Sequence, residues 1–198
     1  MKPRNPFVFL FWILFPSVLL CSNSDPAFAV GDWTGHVNFF LGQTYLRSSD
    51  WAPVERQNAY GLEIDFRKRE WPFNIAIDVI GSDQEEDSLV SGTGRVVQDS
   101  AEISELDLGI RKYWEQNTLF HPFVGGGLSL VTAEMQSLGV EDDDDGVGFW
   151  LDAGISLALT EHFNMGVELR YSMAEVTLLG ENRIAGGFSV GGLIGYRW

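Results

Sequence analysis

The most constraining feature of this chain is a rhythm of two, clearest in its final stretch, residues 188–198. Phe188, Val190, Ile194, Tyr196 and Trp198 fall on one face, with Gly192 the gap. Gly187, Ser189, Gly191, Gly195 and Arg197 fall on the other, with Leu193 the exception. Side chains that alternate between two faces define a strand, not a helix. One face is apolar and ends in aromatics; the other is small or charged.

The same rhythm recurs along the chain and predicts eight strands. Strand one is expected over 33–46, with Val37, Phe39, Leu41 and Tyr45 opposite His36, Asn38, Gly42 and Thr44; Phe40 and Leu46 blur the pattern. Strand two, 58–67, alternates Tyr60, Leu62, Ile64 and Phe66 with Gly61, Glu63, Asp65 and Arg67. Strands three to seven follow at about 73–81, 102–114, 122–132, 149–159 and 165–172, and 188–198 is the eighth. The links alternate in length. Residues 47–53, 82–100 and 133–148 and the medium link 174–183 are the longer ones, and the second and third of these are strongly acidic. Residues 68–72, 115–121 and 160–164 are short.

Residues 1–29 read as a cleaved signal peptide. Lys2 and Arg4 make a positive start, 7–20 an apolar centre, and Ala27-Phe28-Ala29 a small-x-small cleavage site. A transmembrane helix would need roughly 20 apolar residues, which this run lacks. Cys21 raises a lipoprotein alternative, although Leu20 stands where a lipobox wants a small residue. Residues 30–198 then form one domain with no cysteine, so no disulfide can stabilise it. Removing 1–29 takes away Lys2, Arg4 and Asp25, and the net charge of −15 becomes −16. Such acidity argues against a nucleic-acid partner.

No later segment is apolar for long enough to span a bilayer as a helix, so any span must be made of strands of roughly 9–11 residues. In lipid every backbone polar group needs a partner, which forces strands to close into a barrel. The expected fold is therefore all-β: a closed antiparallel up-and-down barrel of eight strands, its lumen filled by side chains. A soluble β-sandwich is the alternative, but it does not require aromatics along one continuous outer face.

The signal peptide, the strand rhythm and the terminal Tyr196-Arg197-Trp198 together resemble the small eight-stranded outer-membrane β-barrels, the family of OmpX and the OmpA membrane domain. The usual terminal motif has Gly five residues before the last aromatic; Leu193 stands there. The resemblance implies the outer membrane as location, lipid and lipopolysaccharide as surroundings, and a monomer. It also implies recognition of the last strand by the barrel-assembly machinery, short turns in the periplasm and long acidic loops outside.

Glu63, Asp65, Arg67, Asp78, Glu105, Asp107, Arg111, Asp152, Glu168, Arg170 and Arg197 are expected to point inward. They read as a self-satisfying ion-pair network, with an ion path or ligand site as the alternative. Carboxylates outnumber bases there, so protonated or water-bridged acids are expected. Glu141-Asp142-Asp143-Asp144-Asp145-Gly146, with Asp152 twelfth, has the spacing of a calcium loop. Strand-like flanks make a solvated acidic loop the favoured reading, and no metal or cofactor site is assigned.

Some barrels of this resemblance are enzymes acting on lipid, which would need His, Ser and acid together at the outer rim. His36, His121 and His162 are all expected near the periplasmic side, so no catalytic cluster is assigned. A structural or surface-interaction role is expected; a lipid-acting enzyme or carrier of small apolar molecules is the alternative.

Overall fold

The computed structural model describes residues 32–90, 95–114, 119–137 and 140–198. The expected signal peptide lies outside them, as does the Ser91–Gly94 link. The described residues form nine strands: β1 (Trp33–Leu46), β2 (Arg56–Lys68), β3 (Asn74–Val90), β4 (Arg95–Tyr113), β5 (Phe120–Ser137), β6 (Val140–Ala158), β7 (Phe163–Leu178), β8 (Glu181–Ala185) and β9 (Gly187–Arg197). One short helix, α1 (Ser48–Trp51), lies between β1 and β2.

The strands pair antiparallel, and each bonds to its neighbours in turn from β1 to β7. β9 pairs on one side with β7 and on the other with β1, from His36 opposite Arg197 to Leu46 opposite Gly187. That seam turns the sheet into a closed barrel of eight staves. β8 and β9 are two parts of the last stave, parted by Gly186 at φ 93°. A Cβ at Gly186 would sit 2.6 Å from the Ser172 carbonyl oxygen, so the chain can kink there only without a side chain. β7 and β8 form a hairpin through Leu179 and Gly180, both at positive φ, as a tight two-residue hairpin turn requires.

The expected strand positions hold, but two expected loops do not exist as loops. β3 and β4 stay paired up to Val90 opposite Arg95, and β5 and β6 up to Ser137 opposite Val140. The acidic stretches 82–90 and 140–148 are therefore strand, extending well past the apolar belt. The medium link 174–183 is likewise mostly the β7–β8 hairpin.

Burial follows the period of two. Outward positions such as Leu41, Leu128, Val167, Leu169 and Phe188 are more than 60% exposed. Inward positions are closed off, and they divide into two levels. Towards the end that carries the extended hairpins lies an apolar cluster that includes Leu46, Ile103, Val131, Met135, Val176 and Leu178. The stopper on it is the link after β1: Trp51 and Val54 are fully buried in the same cluster. The Trp51 indole Nε1 donates to the Ile184 carbonyl at 2.7 Å, and the Ile184 amide donates to Asp50 Oδ2 at 3.3 Å. Two side chains thus cap the edge of β8 that no strand covers, which removes an open edge. The Ser49 hydroxyl bonded to Asp50 holds that carboxyl below the usual carboxylate range, helped by the Ile184 amide.

Above Gly148 opposite Ala174 the β6–β7 ladder stops. There the Thr177 and Leu179 amides donate to the side chains of Asp144 and Asp142, at 2.6 and 2.7 Å. These carboxylates, at an exposed edge, take the place of missing strand partners for the two N–H groups.

Candidate functional site

The second level of the interior is charged. Because charged residues occupy inward positions of β2, β3, β4, β6 and β7, closing the barrel brings their ends together. Seven carboxylates converge on two guanidinium groups: Glu63, Asp65, Asp78, Glu105, Asp107, Asp152 and Glu168 around Arg111 and Arg170, all buried. Arg111 Nε donates to Asp152 Oδ2 at 2.8 Å, and its Nη2 donates to Asp78 Oδ2 at 2.9 Å and also to Asp152. Arg170 Nη1 donates to the same Asp78 oxygen at 3.1 Å, and its Nη2 donates to Asp107. Asp78 Oδ2 is therefore the bridge between the two cations.

Aromatic faces complete the cage. Trp150 is fully buried between them, with the Arg170 guanidinium 4.7 Å and the Arg111 guanidinium 5.6 Å from its ring centre. Phe123 lies 5.6 Å from Arg111. Ring faces attract cations and are apolar, so they fill space without competing for the carboxylates.

Asp65 joins this level to the end bearing the short turns. Its Oδ2 accepts from the Tyr113 hydroxyl at 2.8 Å, and its Oδ1 lies 2.8 Å from His36 Nδ1 and accepts from Asn74 Nδ2. The His36 ring packs on Tyr113 with centroids 4.5 Å apart. Glu105 accepts from the Ser172 hydroxyl at 2.7 Å.

Nine of the eleven charges expected inside are in this network. Arg67 and Arg197 are not: both sit at the rim, where Arg67 Nη1 donates to the Trp71 carbonyl and Arg197 Nε to the Glu161 carbonyl. Both lie at strand ends, where the lumen gives way to turns. Sequence reasoning left out His36, Asn74, Tyr113 and Trp150. His36, Asn74 and Trp150 alternate with outward residues, so their side of the sheet was readable; their partners, on strands far apart in sequence, were not.

The calcium-loop alternative fails on geometry. Residues 141–146 are extended strand paired with 131–136, so successive side chains point to opposite faces, and Asp152 is in the lumen on Arg111. Among the described residues no group of three or more His, Cys, Asp or Glu is placed to hold a metal ion. His121 and His162 lie at the short-turn end with His36. His162 packs on Tyr196 at 5.2 Å.

At the opposite end, one row crosses four strands. Asp83 is opposite Glu102, Glu102 opposite Glu134, and Glu134 opposite Asp143. Like charges directly opposite across strands are destabilising. Glu102→Lys turns two of these contacts favourable, and an increase of about 1 kcal/mol in unfolding free energy is expected. A rise in the urea midpoint at unchanged slope would register it; no rise would show that the row is already neutralised.

A closed barrel of eight staves, apolar outside and charged within, has the fold of the small outer-membrane β-barrels. Solved structures with this fold match over most of the chain. They include Ail of Yersinia pestis in complex with the heparin analogue sucrose octasulfate (12% identity, 85% of this chain and 100% of that one, TM-score 0.57). OprG of Pseudomonas aeruginosa matches at 14% identity, over 85% of this chain and 96% of that one, TM-score 0.53. Neisserial surface protein A matches at 12% identity, over 84% and 96%, TM-score 0.51. No protein-family model and no curated protein sequence matches the chain.

Proposed function

We propose that this protein is an integral outer-membrane barrel whose role is structural or interactive and is exercised through its extended acidic hairpins. The observation that carries the reading is the ring of large apolar side chains exposed around a sealed wall. Leu41, Leu128, Leu151, Val167, Leu169 and Phe188 come from five staves and all face out. A soluble monomer rarely exposes a contiguous apolar patch of that extent, whereas hydrocarbon requires it. The short turns then face the periplasm and the hairpins of β3–β4 and β5–β6 face outward, with lipid and lipopolysaccharide as surroundings.

The lumen supports a structural reading over transport, because both levels are packed with side chains. Charge narrows the partners further. Glu134, Glu141, Asp142, Asp143, Asp144 and Asp145 crowd one hairpin. A polyanion such as the heparin analogue on Ail would be repelled by it, so partners of neutral or positive surface are favoured.

Cell fractionation with gel migration before and after boiling is the direct test. Recovery with outer membranes and a shift on boiling are expected; a periplasmic, unshifted protein would end the proposal. Leu169→Arg sharpens it. Leu169 is 61% exposed, so in water the change would cost little. Facing the hydrocarbon, it should cost about 2–4 kcal/mol, read from urea titration in lipid vesicles.

A further inference from the structure

We propose that the lumen is a proton-binding site in which Glu63 and Glu168 hold exchangeable protons, loaded from the short-turn end through His36 and Asp65.

The cations are already committed elsewhere. Asp78 and Asp152 take hydrogen bonds from Arg111, and Asp78 and Asp107 take them from Arg170. Asp65 has Tyr113, Asn74 and His36. Glu63 and Glu168 differ: both oxygens of each are buried and accept no hydrogen bond from a protein group among the described residues. Their nearest cations stand off. Glu63 Oε2 is 3.4 Å from Arg111 Nη1 and its Oε1 is 3.7 Å from Arg170 Nη1; Glu168 Oε1 is 3.5 Å from that same nitrogen. Two buried carboxylates thus share one guanidinium nitrogen.

The surroundings do not supply the missing charge. From β3 they face Asp78; from β4, Glu105, Asp107, Arg111 and the phenol of Tyr113; from β6, Asp152; from β7, Arg170. Asp65 on β2 and His36 on β1 complete the ring. Seven carboxylates against two guanidinium groups would leave a large buried negative charge, which a low-dielectric interior does not tolerate. A proton on one carboxyl of the pair removes a charge and supplies a donor for the other, as adjacent carboxylates elsewhere share one proton.

The two ends differ. The outer level is the apolar cluster under Trp51 and Val54, where buried Gln57 accepts from the Ser82 hydroxyl at 2.6 Å and donates to the Ala101 carbonyl. On the other side the His36 side chain is 15% exposed and touches Asp65, whose Oδ2 is 3.6 Å from Arg111 Nη1. A chain of polar groups therefore runs from solvent to the cluster.

Infrared spectroscopy of the folded barrel in lipid at neutral pH tests this. The wild-type protein should show the C=O band of a protonated carboxyl. That band should weaken in Glu63→Gln and in Glu168→Gln and disappear in the double variant, while Glu105→Gln leaves it in place. If a variant does not fold, carbon-13 glutamate labelling of the wild-type chain serves instead: the band must shift with the label. Absence of the band, or a band that neither variant nor label changes, overturns the proposal. His36→Phe should slow deuterium exchange of the band; an unchanged rate overturns the entry route.

Discussion

Arg111→Met is expected to be among the most damaging single changes in the barrel. The side chain is 1% exposed and donates to Asp78 and Asp152 while facing Glu63 and Asp65. Methionine keeps the length and loses the charge, so four carboxylates lose a shared cation at once. Removing one partner of a buried ion pair typically costs about 3–5 kcal/mol, because the remaining charge stays buried and uncompensated. The measurement is urea unfolding in lipid vesicles. Asp152→Asn on top of Arg111→Met should recover part of the loss, since it removes one orphaned charge. A loss under about 1 kcal/mol would mean that water already reaches the cluster and screens it.

Trp51→Ala is expected to cost a similar amount for a different reason. The indole is fully buried in an apolar cluster, and truncating such a side chain typically costs about 3–5 kcal/mol. It also uncovers the Ile184 carbonyl and with it the edge of β8. Trp51→Phe separates these contributions: it keeps most of the packing and loses the hydrogen bond, with an expected cost of about 1 kcal/mol. Protease cleavage of 47–55 in the folded barrel should appear in the alanine variant and not in the phenylalanine one. Equal resistance in all three would show that the link is held by other contacts.

The wall of this barrel was legible in its sequence because an apolar outside and a charged inside impose a strict code. Tyr60, Leu62, Ile64 and Phe66 alternate with Gly61, Glu63, Asp65 and Arg67, and the strand there is what that code predicts. The code fails where the apolar belt ends. In 141–146 both faces are polar or small, so no apolar alternation marks the strand, yet the backbone ladder with β5 continues to Val140. Exceptions to the code proved informative. Phe40, Ile80, Phe123, Trp150 and Leu193 break the pattern of small and charged inward residues, and all are buried inside. The charged residues of the lumen were nameable from parity alone. Which carboxylate meets which arginine depends on pairs such as Arg170 and Asp78, 92 residues apart, and on strand tilt, which local sequence does not carry. The plug was invisible for a similar reason: Arg47 to Glu55 looks like any polar link, and only the fold shows the hole that Trp51 fills.

The link that stoppers the mouth also joins the opening of the chain to its close. Trp51 and Asp50 grip residue 184, while β1 zips to β9, with Thr44 and Ser189 hydroxyls 2.7 Å apart across the join. Cork and stave lock each other in place, so neither can be finished alone. Closure of this wall is thus expected to be slow, because its contacts span about 130 to 160 residues and such distant pairings must be brought together first.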